Sequence, residues 1–202
     1  MTTTQPRPPI LVIGDVHGKL SRYHNLIQDK QPHQSIQLGD FGFARQHDWF
    51  LNTMDCDRHK VLFGNHDDYA YLGREHSLGD FSVLHKGEIM TVRGGYSLDA
   101  ARRTIGVDWW AEEEMSFEEW NRCIDTYTQT RPSIVLSHEC PTAPLAQMFG
   151  HYNPSATSKG LQALFEIYQP ALWVFGHHHK AMRATISGTE FCCLAEVQAM
   201  YI

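Results

Sequence analysis

The apolar residues of this chain fall in short runs, and those at 10–13, 36–38, 61–63, 134–136 and 171–175 each stop at a glycine or serine followed by a polar side chain. Short apolar runs bounded by turn formers predict buried strands. Between the first two, Leu20, Tyr23, Leu26 and Ile27 recur at helical spacing across residues 19–29, and residues 49–54 read as a second helix. Strand, loop and helix in repeated order argue for an α/β protein with helices packed on a parallel or mixed sheet.

The middle of the chain breaks that rhythm. Residues 81–84 and 89–92 flank His85-Lys86-Gly87 as a hairpin ending at Gly94-Gly95, which argues against a purely parallel sheet. Ser116 and Glu119 have capping-box spacing and open a helix through about Thr128, closed by Pro132 before the strand at 134–136. Residues 140–158 read as a loop, followed by a helix carrying Leu161, Leu164, Phe165 and Ile167. After the strand at 171–175, residues 182–186 and 191–194 form a last hairpin around Ser187-Gly188.

Composition narrows the class without choosing the chemistry. A chain of 202 residues that is 42% hydrophobic and 20% charged suits a single globular domain over residues 1–202. No apolar run approaches the roughly 18 residues that span a bilayer. Met1 to Pro9 is polar and proline-rich, and residues 10–13 are too short for a secretory core, so a cytoplasmic protein with no membrane partner is expected. Five cysteines, with Cys192 and Cys193 adjacent, fit reduced thiols rather than a disulfide framework or a CxxC zinc site. The net charge of -6 weighs against a broad basic face for long nucleic acid. Divalent ions would reverse that potential locally, so charge does not select the substrate.

Five segments carry the candidate chemistry: Gly14-Asp15-Val16-His17-Gly18, Gly39-Asp40, Gly64-Asn65-His66-Asp67, Ser137-His138 and Gly176-His177-His178-His179. All follow predicted strands, so their polar residues would gather where open α/β sheets bind ligands. Asp15 and His17 are two apart, so both can turn toward one ion while Val16 points away; His177 and His179 repeat the spacing. Asp40 has two oxygens and can bridge ions about 3.5 to 4 Å apart, with Asn65 and His138 as neutral ligands. Mixed oxygen and imidazole donors suit Mn, Fe, Co, Ni or Zn better than Mg or Ca alone. A water between two such ions loses a proton near neutral pH and becomes a nucleophile for phosphorus, and His66, beside Asn65, is placed to protonate the leaving oxygen.

These segments resemble, in order from Gly14 to His179, the motifs of the calcineurin-like metallophosphoesterases: GD-x-HG, GD, GNH[ED], a lone His after a strand, and G-H-x-H. The resemblance implies a two-sheet β-sandwich of mixed strands flanked by α-helices. It implies one ion held by Asp15, His17, Asp40 and His179, and a second by Asp40, Asn65, His138 and His177. His66 would be the substrate-contacting acid and Mn the foremost metal. In the protein-phosphatase branch the second motif continues GD-x-x-DRG, with an Asp that orients the catalytic His and an Arg that grips phosphate. Here Phe43 and Ala44 stand in those two places, with Arg45 one position late.

That departure puts a phosphodiesterase on small nucleotides or nucleic-acid ends ahead of a phosphomonoesterase or Ser/Thr-type protein phosphatase, with nucleotides or single-stranded nucleic acid as the partners expected. A catalytically weak, metal-bearing binding scaffold is the rival of another class, and retention of His66 argues against it. Asn65, Asp67 and Arg102 are candidates for substrate contact, with orienting His66 or capping a helix as the competing roles for Asp67 and solvation for Arg102 and Arg103. Trp109 and Trp110 are candidates for stacking on a base or for the core. His178 is expected to point away from the ions. Residues 94–113 also resemble a stretch in uncharacterised bacterial and phage members of the superfamily, and carry no substrate assignment.

Overall fold

The computed structural model of the chain describes residues 7–42, 50, 52–150 and 154–202. Two sheets form the centre. The first contains β1 (Ile10–Ile13), β2 (Gln34–Gln37), β3 (His59–Val61) and β10 (Ala199–Tyr201), in the order β10-β1-β2-β3. The second contains β4 (Phe81–Leu84), β5 (Ile89–Val92), β6 (Ile134–Ser137), β7 (Leu172–Phe175), β8 (Met182–Ile186) and β9 (Thr189–Cys193), in the order β4-β5-β6-β7-β9-β8. Strands β1, β2 and β3 run parallel, as do β5, β6, β7 and β9, while β10, β4 and β8 pair antiparallel at the edges.

Strand alternation explains why the inner runs are apolar throughout. Ile10 and Val12 of β1 share a core with Ile134 and Leu136 of β6 and Val174 of β7, the layer between the sheets. Leu11 and Ile13 point the other way, onto Tyr23 of helix α1 (Leu20–Lys30). On the far side, Val135, Trp173, Phe175 and Phe191 pack against α2 (Phe117–Thr130), α3 (Thr142–Phe149) and α4 (Ala156–Ile167) through Tyr127, Leu145, Leu161 and Leu164. Strands covered on both faces have no polar face to show, so they read as continuous hydrophobic runs. The architecture is a two-sheet sandwich with helices on its outer faces.

Several boundaries differ from the sequence reading. The expected loop at 140–158 contains α3, whose Pro144 occupies its first turn, where a missing N–H costs little. Strand β3 ends at Val61, three residues before Gly64, although Leu62 N–H still donates to the Gln37 carbonyl of β2 at 2.8 Å. Strand β10 has too few residues for a periodicity signal and exists because Leu11 to Ile13 offer it an edge. The capping box is present: Glu119 N–H donates to Ser116 Oγ at 3.3 Å and Ser116 N–H to Glu119 Oε2 at 2.6 Å. Phe43, Ala44 and Arg45 lie outside the described residues, as do residues 49 and 51 of the helix expected at 49–54; Phe50 is helical, but residues 52–54 are turn and bend, so that helix does not reach Met54. Among the described residues no helix is long and apolar enough to cross a membrane.

Candidate metal centre

Parallel pairing aligns the carboxyl ends of β1, β2 and β3 in one sheet and of β6 and β7 in the other, and contacts such as His177 N–H to Asp15 Oδ1 at 3.0 Å and His138 Nε2 to Asn65 Oδ1 at 3.1 Å bring all five polar segments together. The first two loops are stitched by backbone bonds, with Val16 N–H and His17 N–H both donating to the Asp40 carbonyl at 3.0 and 2.7 Å. His17, Asp40, His177 and His179 take positive φ values of 48°, 54°, 64° and 53°. Left-handed backbone is uncommon outside glycine, and such strain of order 1–3 kcal/mol per residue persists only where surrounding contacts dictate it. Two glycines permit the close approach: a Cβ at Gly64 would collide with the Asp40 carboxylate and one at Gly176 with that of Asp15.

Two donor sets result, sharing Asp40. In the first, ligand atoms of Asp15, His17, Asp40 and His179 all lie within 4.8 Å of one another. His179 Nε2 sits 3.1 Å from Asp15 Oδ2 and 2.8 Å from His17 Nε2, which is 3.6 Å from Asp40 Oδ2. The second set is Asp40, His138 and His177. His138 Nε2 is 3.4 Å from Asp40 Oδ1, 3.2 Å from His177 Nδ1 and 3.1 Å from Asn65 Oδ1, which brings Asn65 into the group. Asp40 thus turns one oxygen to each set.

The neighbours decide which lone pairs are free. The Leu38 carbonyl, 2.8 Å from His138 Nδ1, can only accept, so Nδ1 carries the proton and Nε2 faces the site bare. Glu139 Oε2 lies 3.2 Å from His177 Nε2 and leaves His177 Nδ1 as the donor atom. Asn65 Nδ2 donates to Ser97 Oγ at 3.0 Å, and Ser97 Oγ to Glu113 Oε2 at 2.6 Å, which aims the Asn65 carbonyl inward. Outer-shell partners of this kind orient ligating groups and raise their basicity. Mixed oxygen and imidazole donors with fixed tautomers, in two groups joined by one carboxylate, fit a pair of divalent ions.

Electrostatics agree with that fit. Burial, then Asp15 and Asp67, push the Asp40 carboxyl well above its ordinary value, as expected of carboxylates crowded without a cation. Burial would raise Asp15 as well, but His179, His138 and the His177 amide outweigh it and hold it at about 2. Burial lowers His138 to about 3, and burial with Arg103 lowers His66 to about 4. A histidine depressed in this way contributes stability above the unfolded value of 6.5 that is lost as pH falls toward its folded value. Asp40 and His179 shift upward and pull in the opposite sense, so ring signals, which report each group alone, are the test. In metal-free protein the NMR ring shifts of His66 and His138 should stay those of neutral imidazole from pH 7 to 5; imidazolium shifts at pH 5.5 would contradict it.

The remaining candidates separate. Asp67 is fully buried, its Oδ2 accepting from the amides of Asp40 and Gly64 and its Oδ1 from that of Gly42, each at 2.8 Å. It ties the second and third loops together through these three amides. Arg102 is exposed, and its neighbour Arg103 reaches His66. His66 stands edge-on to His17 with ring centroids 5.1 Å apart. His178 turns away from the shared Asp40, with Nε2 2.9 Å from Glu139 Oε1 and its ring 4.2 Å from that of Phe149. Trp110 packs on the core beside α1. Ser97, Glu113 and Glu139 carried no spacing signal, because each acts by contact across the fold.

The comparisons with known proteins agree with this geometry. A family model described as calcineurin-like phosphoesterase matches residues 8–181. The chain belongs to that family. As a calcineurin-like phosphoesterase it is a phosphoester hydrolase by family, and the family implies divalent ions at the two donor sets.

No curated protein matches the chain. Among solved structures it is similar to a Staphylococcus aureus protein assigned as a 5′-nucleotidase, with 16% identity and a TM-score of 0.53. That match covers 93% of this chain and 48% of the other, so the chain spans about half the length of that neighbour. It is also similar to GAP50, the anchor in the inner membrane complex of Plasmodium, at 7% identity and a TM-score of 0.52, covering 94% of this chain and 72% of that one. A conserved phosphoesterase-like protein from Streptococcus pneumoniae matches at 12% identity and a TM-score of 0.47, covering 96% and 76%. Such identities speak to the fold alone.

Proposed function

We propose that this calcineurin-like phosphoesterase is a phosphodiesterase acting on small nucleotides or nucleic-acid ends, with Mn as the foremost of the ions its donors accept. The observation that carries the two-metal reading is the division of Asp40, whose Oδ1 faces His138 at 3.4 Å and Oδ2 faces His17 at 3.6 Å. Asp15, His17, Asp40 and His179 would hold one ion and Asp40, Asn65, His138 and His177 the other. When bound, the ions supply Lewis-acid activation of water and neutralise charge at phosphorus.

The side chains supply the rest. His66 would donate an imidazole N–H to the departing oxygen. Its free-state value near 4 keeps the ring neutral at pH 7, and an anionic phosphoryl group beside it favours the imidazolium and raises that value again. The preference for diesters rests on the second motif, where Phe43 and Ala44 leave out the Asp and Arg that the phosphatase branch uses. With added Mn, hydrolysis of a bis-aryl phosphodiester should exceed that of the matching aryl phosphomonoester. A strong preference for the monoester would overturn the diesterase assignment and favour the phosphatase reading. Two bound ions with no cleavage of either would favour a binding scaffold.

A further inference from the structure

The stretch 94–113 runs beside the metal centre, where Ser97 bonds Asn65 and Arg103 brings a cation to His66. Arg103 Nη2 lies 2.8 Å from His66 Nε2 and 2.7 Å from Asp99 Oδ1, and only 8% of its side chain is exposed. Its Nη1 donates to the Asp108 carbonyl at 3.3 Å, while Thr104 N–H is bonded to the Asp108 carboxylate in the same turn. The guanidinium is therefore held from two sides, by a carboxylate and by the turn that follows it, with one prong against the imidazole.

An arginine has five donors and no acceptor, so the nitrogen of His66 that it meets can only be accepting. That is the wrong hydrogen-bond sense for a histidine that must donate to a leaving oxygen from the same atom. A phosphoryl oxygen that parts the two groups removes the conflict: it accepts from Arg103, and it leaves His66 Nε2 free to take up the proton it must donate. The Arg103–His66 contact is thus one that an oxyanion would displace, and a planar guanidinium is well suited to phosphoryl oxygens.

We propose that Arg103 is a catalytic residue: on substrate binding its Nη2 leaves His66 and donates to a phosphoryl oxygen, with Asp99 as the positioning residue that keeps the guanidinium at the mouth. This deepens the phosphoester reading and rests on it. No bond is made or broken by Arg103, which would hold the oxyanion and return His66 Nε2 to the substrate. The sequence alone favours the exposed Arg102 no less than its neighbour, and only packing separates them.

The test uses the full chain loaded with Mn and inorganic phosphate as the probe, so that binding is read without turnover. Arg103→Gln should weaken phosphate by about 10- to 100-fold in calorimetry, the loss of one charge-assisted hydrogen bond, and raise KM for both aryl esters. Arg103→Lys should recover part of that loss, and Asp99→Asn should weaken phosphate less than Arg103→Gln. Metal stoichiometry and Tm should match the parent protein in all three. Phosphate affinity and KM unchanged in Arg103→Gln would overturn the proposal, as would a fall in metal stoichiometry or Tm that fully accounts for the weaker binding. If the parent protein binds phosphate but cleaves neither ester, the phosphoesterase reading fails while the phosphate contact is still decided by the same titration.

Discussion

Asp40→Asn is expected to lower turnover by more than about 100-fold, the upper range for changes that only touch a ligand from outside, and to cost at least one equivalent of bound metal. Asparagine keeps an oxygen for the His66 amide, which donates to Asp40 Oδ1 at 2.8 Å, but it offers a neutral group where two donor sets meet a shared carboxylate. The same change should make the metal-free protein more stable. Asp40 is buried with Asp15 and Asp67 nearby, and burial and those two charges push its carboxyl upward, so its ionisation opposes folding at neutral pH. Removing it should raise the Tm of the metal-free form by about 2–4 °C per kcal/mol relieved. Added Mn should then raise Tm in the parent protein and much less in the variant. Calorimetry with and without Mn checks both halves, and a metal-free variant less stable than the parent would show that Asp40 holds the loops through hydrogen bonding more than it strains them by charge.

His66→Asn is expected to separate chemistry from metal binding. His66 belongs to neither donor set, yet its ring stands against His17 and its Nε2 meets Arg103 at the mouth of the site. Loss of a positioned acid typically costs 10²–10⁴-fold, so kcat should fall by about that range while two ions still bind. The fall should be smaller for esters whose leaving group is a weak base, because such an oxygen departs with less help. A series of aryl diesters of graded leaving-group pKa, followed by steady-state kinetics, measures this. Equal losses across the series would place His66 in substrate binding instead of leaving-group protonation.

The ease of reading the metal centre and the difficulty of reading its surroundings have one cause. Asp15 and His17, or His177 and His179, are neighbours along the chain, and each pair follows a strand marked by an apolar run and a glycine. The information is local, and residue type plus spacing is enough to express it. Asp67 lies in the same readable segment, but nothing local shows that Gly42 and Asp40 will present their amides to it. The Ser97 and Glu113 support for Asn65 joins residues far apart along the chain, and no periodicity links them. Helix α3 was hidden for a related reason: its buried face is set by what the second sheet presents to Leu145 and Met148.

By itself, the sequence determined the order of the strands and helices apart from α3 and β10, the family and the types of donor at the metal centre, since these follow from apolar spacing, glycine placement and side-chain chemistry. Tertiary structure alone decided which nitrogen of His138 and His177 is free, which arginine reaches His66, and that four of the site residues adopt left-handed backbone. Tautomer, reach and strain each depend on a partner far away in sequence and adjacent in space, and only closing the sandwich puts that partner in place.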